Sequence, residues 1–171
     1  MKLGKSVCFV DYEKAFDRVK HVALMHMLEN LMIDGKDLRL LKNLYWKQEA
    51  SVRFGKAETE AQHIKRGVRQ GCVLSPELFK LYGENIMRDL THLEGIKVGG
   101  ISINNIRYAD DTVLLADSPG KLQRLLHVLN ETSKKKGLTI NTGRGKTEAM
   151  LISGADDGER LDLVVEGSSV E

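Results

Sequence analysis

Three carboxylates carry the chemistry this sequence offers: Asp11, at the end of the apolar run Val7-Cys8-Phe9-Val10, and the adjacent pair Asp110-Asp111. The pair lies within Ile106-Arg107-Tyr108-Ala109-Asp110-Asp111-Thr112-Val113-Leu114-Leu115, where short apolar runs flank a polar break, so it falls at or beside a tight turn. Asp is a good turn residue, and the pair alone is equally consistent with a solvated hairpin tip. Strands laid side by side would instead bring all three acids to one sheet edge, where their mutual repulsion calls for a divalent cation. Oxygen-only donors suit Mg²⁺ or Mn²⁺. Two such ions, about 3.5–4 Å apart, stabilise both the attacking and the leaving oxygen of a phosphoryl transfer.

A chain of 171 residues fits one domain with a core of Leu, Ile, Val and Met. The formal net charge of +2 is close to neutral, so local patches must carry any attraction to nucleic acid. Cys8 and Cys72 lie far apart and form no C-x-x-C pair, which suggests neither a disulfide framework nor a zinc site. No apolar run approaches the ~18 residues a membrane span requires, and no signal peptide opens the sequence. The expectation is a soluble intracellular protein, nuclear or cytoplasmic.

The elements that must position the acids follow from periodicity. Residues 6–11 read as a buried strand ended by Asp11, and Tyr12 to Val19 as a turn leading into helix. Leu24, Met27, Leu28, Leu31 and Met32 repeat at helical spacing, Asp34-Gly35 stops that helix, and Leu38, Leu41, Leu44 and Tyr45 mark a second. Residues 50–55 and 61–66 read as two short strands. Ser75 is expected to cap a long helix, with Pro76 at its first position and Leu78, Phe79, Tyr82, Ile86 and Leu90 as its buried stripe. Short strands over 96–98 and 101–103 precede the acidic hairpin. A helix from Ser118-Pro119 to Gly137 presents Leu122, Leu125, Leu126 and Leu129, and Lys134-Lys135-Lys136 complements its dipole. Strands are expected at 138–141, 148–152 and 161–165, with Asp156-Asp157 in a solvated loop. This order describes an α+β fold of the ferredoxin-like kind, an antiparallel sheet with helices packed on one face.

Four stretches resemble the palm subdomain of a reverse transcriptase of the non-LTR (LINE-type) retrotransposons. Phe9-Val10-Asp11-Tyr12-Glu13-Lys14-Ala15-Phe16-Asp17 is similar to the family's first catalytic motif. Arg69-Gln70-Gly71-Cys72-Val73-Leu74-Ser75-Pro76 is similar to the second, Tyr108-Ala109-Asp110-Asp111 to the third, and Gly137-Leu138-Thr139-Ile140-Asn141 with Lys146-Thr147 to a fourth. The resemblance implies an RNA-directed DNA polymerase that transfers nucleotides to a primer 3′-hydroxyl with two Mg²⁺ (or Mn²⁺) ions. Asp11 and Asp110 would be the principal metal ligands, with Asp111 assisting and the Tyr12 carbonyl available. Backbone N–H groups of Lys14 and Ala15 would receive the triphosphate. Phe16 stands where the family places an aromatic against the sugar, the alternative being core packing. Gln70 and Gly71 would pack against incoming nucleotide and template, and Arg69 and Lys146 would be possible phosphate contacts.

The implied partners are an RNA template, a DNA primer and deoxynucleoside triphosphates, with no membrane. Residues 1–171 are expected to form a single partial palm domain, with 153–171 a C-terminal strand and loose tail, and with fingers, primer grip, thumb and endonuclease outside it. Self-association through the surfaces they would cover is a further expectation. Gly143-Arg144-Gly145 looks like a two-residue insertion ahead of Lys146. The competing expectation is a truncated, catalytically silent remnant that acts at most as a nucleic-acid-binding or interaction module. A nucleotide cyclase would share the topology but has no place for R-Q-G-x-x-x-S-P.

Overall fold

The computed structural model describes residues 5–46, 48–152 and 161–170. In chain order its elements are β1 (Lys5–Val10), α1 (Ala15–Arg18), α2 (His21–Asn30), α3 (Gly35–Tyr45), β2 (Glu49–Ala50), β3 (Arg53–Phe54), β4 (Ala57–Glu58), β5 (Gln62–His63) and α4 (Ser75–Met87). A 3₁₀ turn over Arg88–Leu90 leads to β6 (Ile96–Val98), β7 (Ile101–Ile103), β8 (Asn105–Tyr108), β9 (Asp111–Ala116), α5 (Pro119–Lys136), β10 (Glu148–Ile152), β11 (Leu163–Val165) and β12 (Ser168–Val170). The fold is mixed α/β, with antiparallel sheets and five α-helices among the described residues.

The main sheet has four antiparallel strands in the order β10-β1-β9-β8. Its register explains the burial. Ser6 faces Ala116, Cys8 faces Leu114 and Val10 faces Thr112, and all six are buried. Strand alternation sends their neighbours to the opposite face, where Phe9, Ile106, Met150 and Ile152 are exposed. Helix α5 packs on β1 and β9 through its leucine stripe, and α4 packs on α5. Each fully buried Leu contributes about 1.5–3 kcal/mol, so this stripe and Leu24 and Leu28 of α2 supply much of the core.

Four local expectations are corrected. Ser75 does not cap α4: the helix begins at Ser75 itself, and its buried hydroxyl donates to the Arg69 carbonyl at 2.5 Å. Tight turns from Arg69 to Ser75 wind the chain into the helix early, so the hydroxyl reaches backward. Residues 138–141 make a single bridge, Tyr12 to Ile140, in place of a strand. The two strands expected over 50–66 are a ladder in two short tiers, β2 with β5 and β3 with β4, its break spanned by Val52 and Thr59. Beyond Leu161 the expected strand is present as β11, and β12 pairs with it in a hairpin where a loose tail was expected to follow. The Gln123 amide of α5 holds that hairpin, accepting the Val164 N–H and donating to the Val164 carbonyl, each at 2.9 Å. The Asp156-Asp157 loop lies outside the described residues.

Candidate active site

Asp11 is the first residue past β1. Since Val10 pairs with Thr112, Asp11 and Asp111 are next in line on neighbouring strands. Tyr108 pairs with Asp111, leaving Ala109-Asp110 as a two-residue turn. Ala109 has φ 53°, so the turn opens on a residue with positive φ that is not glycine. Topology thus brings the N-terminal acid and the acidic doublet to one end of the sheet.

The three acids differ in surroundings. Asp111 is exposed, whereas Asp110 is half-buried and lines a cavity of about 690 Å³ together with Tyr12, Phe16, Phe79, Arg107 and Tyr108. Asp11 is half-buried, and its Oδ2 accepts the Asn141 side-chain N–H at 2.9 Å, with Lys146 Nζ at 4.0 Å. Carboxylate donors on one sheet end fit a hard divalent cation in kind and in topology. Among the described residues, however, no three His, Cys, Asp or Glu side chains are drawn together as a ready-made cage.

Residues of the first motif sit on a short strand-to-helix bend. The Tyr12 side chain points into the core, where its hydroxyl and that of Ser133 are 3.0 Å apart. Burial pushes the phenol up to about 12, against smaller opposing effects of the Ser133 hydrogen bond and the Arg107 charge. Lys14 is left-handed (φ 46°, ψ 49°) directly before α1. A left-handed residue followed by a right-handed one turns successive N–H groups toward one side, an anion-binding concavity. Phe16 is half-buried and stacks on Phe79 of α4 with ring centroids 4.6 Å apart.

The residues that lead into the second motif are tied to the first motif and the turn after it by main-chain bonds, from Gly67 N–H to the Val19 carbonyl and from Val68 N–H to the Phe16 carbonyl, both 2.8 Å. Gln70 is exposed and donates its amide to Asp17 at 3.3 Å. Gly71 has φ +80° and open space where a Cβ would stand. Arg69 donates to the Leu44 carbonyl at 3.1 Å and so caps the C-terminus of α3. Sequence reasoning missed Arg107, which bridges the cavity mouth to Glu84 at 2.8 Å, and Asn141 and Thr147, which grip Asp11. A cation two residues before the turn was the available signal for Arg107.

Residues 1–162 match the family described as Reverse transcriptase (RNA-dependent DNA polymerase). Over 156 residues the chain is 30% identical to the Retrovirus-related Pol polyprotein from type-1 retrotransposable element R2 of Nasonia vitripennis, an alignment covering 90% of this chain and 15% of that protein. It is 29% identical over 143 residues to the RNA-directed DNA polymerase from mobile element jockey of Drosophila funebris, covering 80% and 15%. Against the Transposon TX1 uncharacterized 149 kDa protein of Xenopus laevis it is 34% identical over 129 residues, covering 72% and 10%. The chain spans 15% or less of the length of each of these relatives. This chain belongs to the reverse transcriptase (RNA-dependent DNA polymerase) family and is related to the enzymes of non-LTR retrotransposons.

Proposed function

We propose that residues 1–171 form one ferredoxin-like palm domain of an RNA-directed DNA polymerase of a non-LTR retrotransposon, with helices on one sheet face and the acids at its end. The observation that carries this reading is the Val10 to Thr112 register, which sets Asp11 beside Asp111 at one end of the sheet, next in sequence to Asp110, which lines the cavity. Asp11, Asp110 and Asp111 would hold two Mg²⁺ (or Mn²⁺) ions. Such ions, when bound, stabilise charge on the primer 3′-oxygen and on the departing pyrophosphate.

The remaining roles belong to the chain's own groups. Backbone N–H groups of Lys14 and Ala15 receive the triphosphate of a deoxynucleoside triphosphate, and Phe16, braced by Phe79, presents a ring to its sugar. Gln70 and Gly71 flank the nucleotide and the RNA template, and Lys146 contacts phosphate. Arg69 reaches a phosphate only by leaving the Leu44 carbonyl. The exposed sheet face with Phe9, Met150 and Ile152 suits docking of further protein or self-association. Among the described residues no helix is long and apolar enough to cross a membrane.

A second reading, a catalytically silent chain, is favoured by Lys146 standing 4.0 Å from the Asp11 carboxylate, where a metal would be. Primer extension on poly(rA)/oligo(dT) with Mg²⁺ or Mn²⁺ separates the two. The polymerase reading expects slow extension, since positioning supplies much of the rate, and its loss in Asp110→Asn. No extension by the folded chain supports the silent reading, and extension that survives the substitution contradicts the assignment of Asp110.

A further inference from the structure

We propose that Asn141 is a positioning residue for Asp11, fixing the orientation of that carboxylate at the sheet end where Asp110 and Asp111 also lie. The proposal rests on the polymerase reading above and adds to it a residue outside the acids. Asn141 holds Asp11 twice. Its main-chain N–H donates to the Asp11 carbonyl at 2.8 Å, and its side-chain N–H donates to Asp11 Oδ2 at 2.9 Å. The amide is itself oriented, because its Oδ1 accepts the Gly143 N–H at 3.1 Å, which leaves only the nitrogen to meet the carboxylate.

The loop that follows is shaped to support this grip. A Cβ at Gly143 would stand 3.1 Å from the same Asn141 Oδ1 and press on it. Lys146 N–H bonds the Gly143 carbonyl at 3.1 Å, and Thr147 N–H returns to the Asn141 carbonyl at 3.2 Å. The buried Thr147 hydroxyl then accepts the Asp11 N–H at 3.2 Å, closing a ring of hydrogen bonds around Asp11. Gly143-Arg144-Gly145, an apparent insertion in the sequence, is therefore the bend that folds Asn141 and Thr147 onto opposite sides of one residue. A neutral amide removes rotational freedom from the carboxylate without neutralising it, and Lys146 Nζ, 4.0 Å from the same Oδ2, is the cation a metal ion would displace. The amide thus has the arrangement of a partner that orients a metal ligand from behind.

The test measures Mn²⁺ binding by the loss of the free-ion EPR signal, on the 171-residue chain and on Asn141→Ala, the near-isosteric Asn141→Leu, and Asp11→Asn, with a metal-free melting curve for each. Orienting partners of metal ligands are worth about 10- to 100-fold in affinity, so both Asn141 variants are expected to weaken Mn²⁺ binding by that factor while melting near the parent temperature. If Asn141→Ala does not fold, Asn141→Leu decides. Binding at parental affinity in the Asn141 variants, or weakening only in step with lost thermal stability, overturns the proposal while loss of binding in Asp11→Asn leaves the polymerase reading standing. Parental binding by Asp11→Asn overturns that reading itself.

Discussion

Phe16 and Phe79 lie ring on ring, their planes 14° apart and their centroids 4.6 Å apart, so the first motif and helix α4, into which the second motif runs, share one aromatic contact. Phe79 is buried and Phe16 only half so. Phe79→Ala is expected to cost about 3–5 kcal/mol in urea unfolding, and Phe16→Ala less, because part of its ring already meets solvent. If the exposed part of Phe16 faces a nucleotide sugar, Phe16→Val will raise incorporation of UTP relative to dTTP in primer extension. An unchanged ratio would leave Phe16 a packing residue alone.

Alkaline pH should unfold the protein through two buried acids. Burial pushes the Cys8 thiol from its ordinary 9.0 up to about 12, and the Tyr12 phenol from 10.0 up to about 12. Both are held neutral when folded and ionise more readily when unfolded. Their stabilisation is therefore complete below about pH 9 and is lost as pH climbs toward 12. Urea midpoints measured from pH 8 to pH 11 should fall, and Tyr12→Phe should flatten the fall above pH 10. The same burial makes Cys8 inert, so an alkylating reagent at pH 8 should label the half-buried Cys72 first.

Gly95 is needed for close approach. A Cβ there would lie 2.0 Å from the Ile103 carbonyl oxygen, and main chain cannot swing aside as a side-chain tip can. Gly95→Ala should displace the turn ahead of β6 and lower stability by about 1–3 kcal/mol or more. Gly83, inside α4 with no atom within 4 Å of its absent Cβ, is the contrast. Gly83→Ala should raise stability by about 0.5–1 kcal/mol, measured by the same urea titration.

What could be read from the sequence is what periodicity encodes. The leucine stripe of α5 and the Leu24 to Leu28 face of α2 each name an element and its buried side, whereas the run from Thr112 to Ala116 names a strand but not its buried face, because Val113 and Leu115 are as apolar as Leu114. Hydrogen bonds between distant residues leave no such period. Arg69 caps α3 through Leu44, a partner 25 positions away. Asn141 meets Asp11 across 130 positions, and although each stands in a motif the sequence displays, no periodicity says that the two side chains bond. Residues 138–141 look like a strand for the same reason: their apolar alternation is real, but their main chain bonds to the bend after β1 instead of to a long ladder. Of the β11–β12 hairpin the first strand was legible, within 161–165, but not its pairing, which Gln123, a polar residue of α5, supports through Val164.

Convergence of Asp11 with Asp110 and Asp111 on one metal site is the central claim, and Mn²⁺ titration followed in ¹H–¹⁵N spectra tests it most directly, since the ion broadens the amides nearest to it. The amides of Asp11, Tyr12, Asp110 and Asp111 are expected to broaden together and at the lowest Mn²⁺ concentration, and to stay sharp in Asp11→Asn. Broadening centred elsewhere, such as on Asp89 and Glu131 beside His127, or reaching Asp11 and Asp110 at widely different Mn²⁺ concentrations, would contradict it.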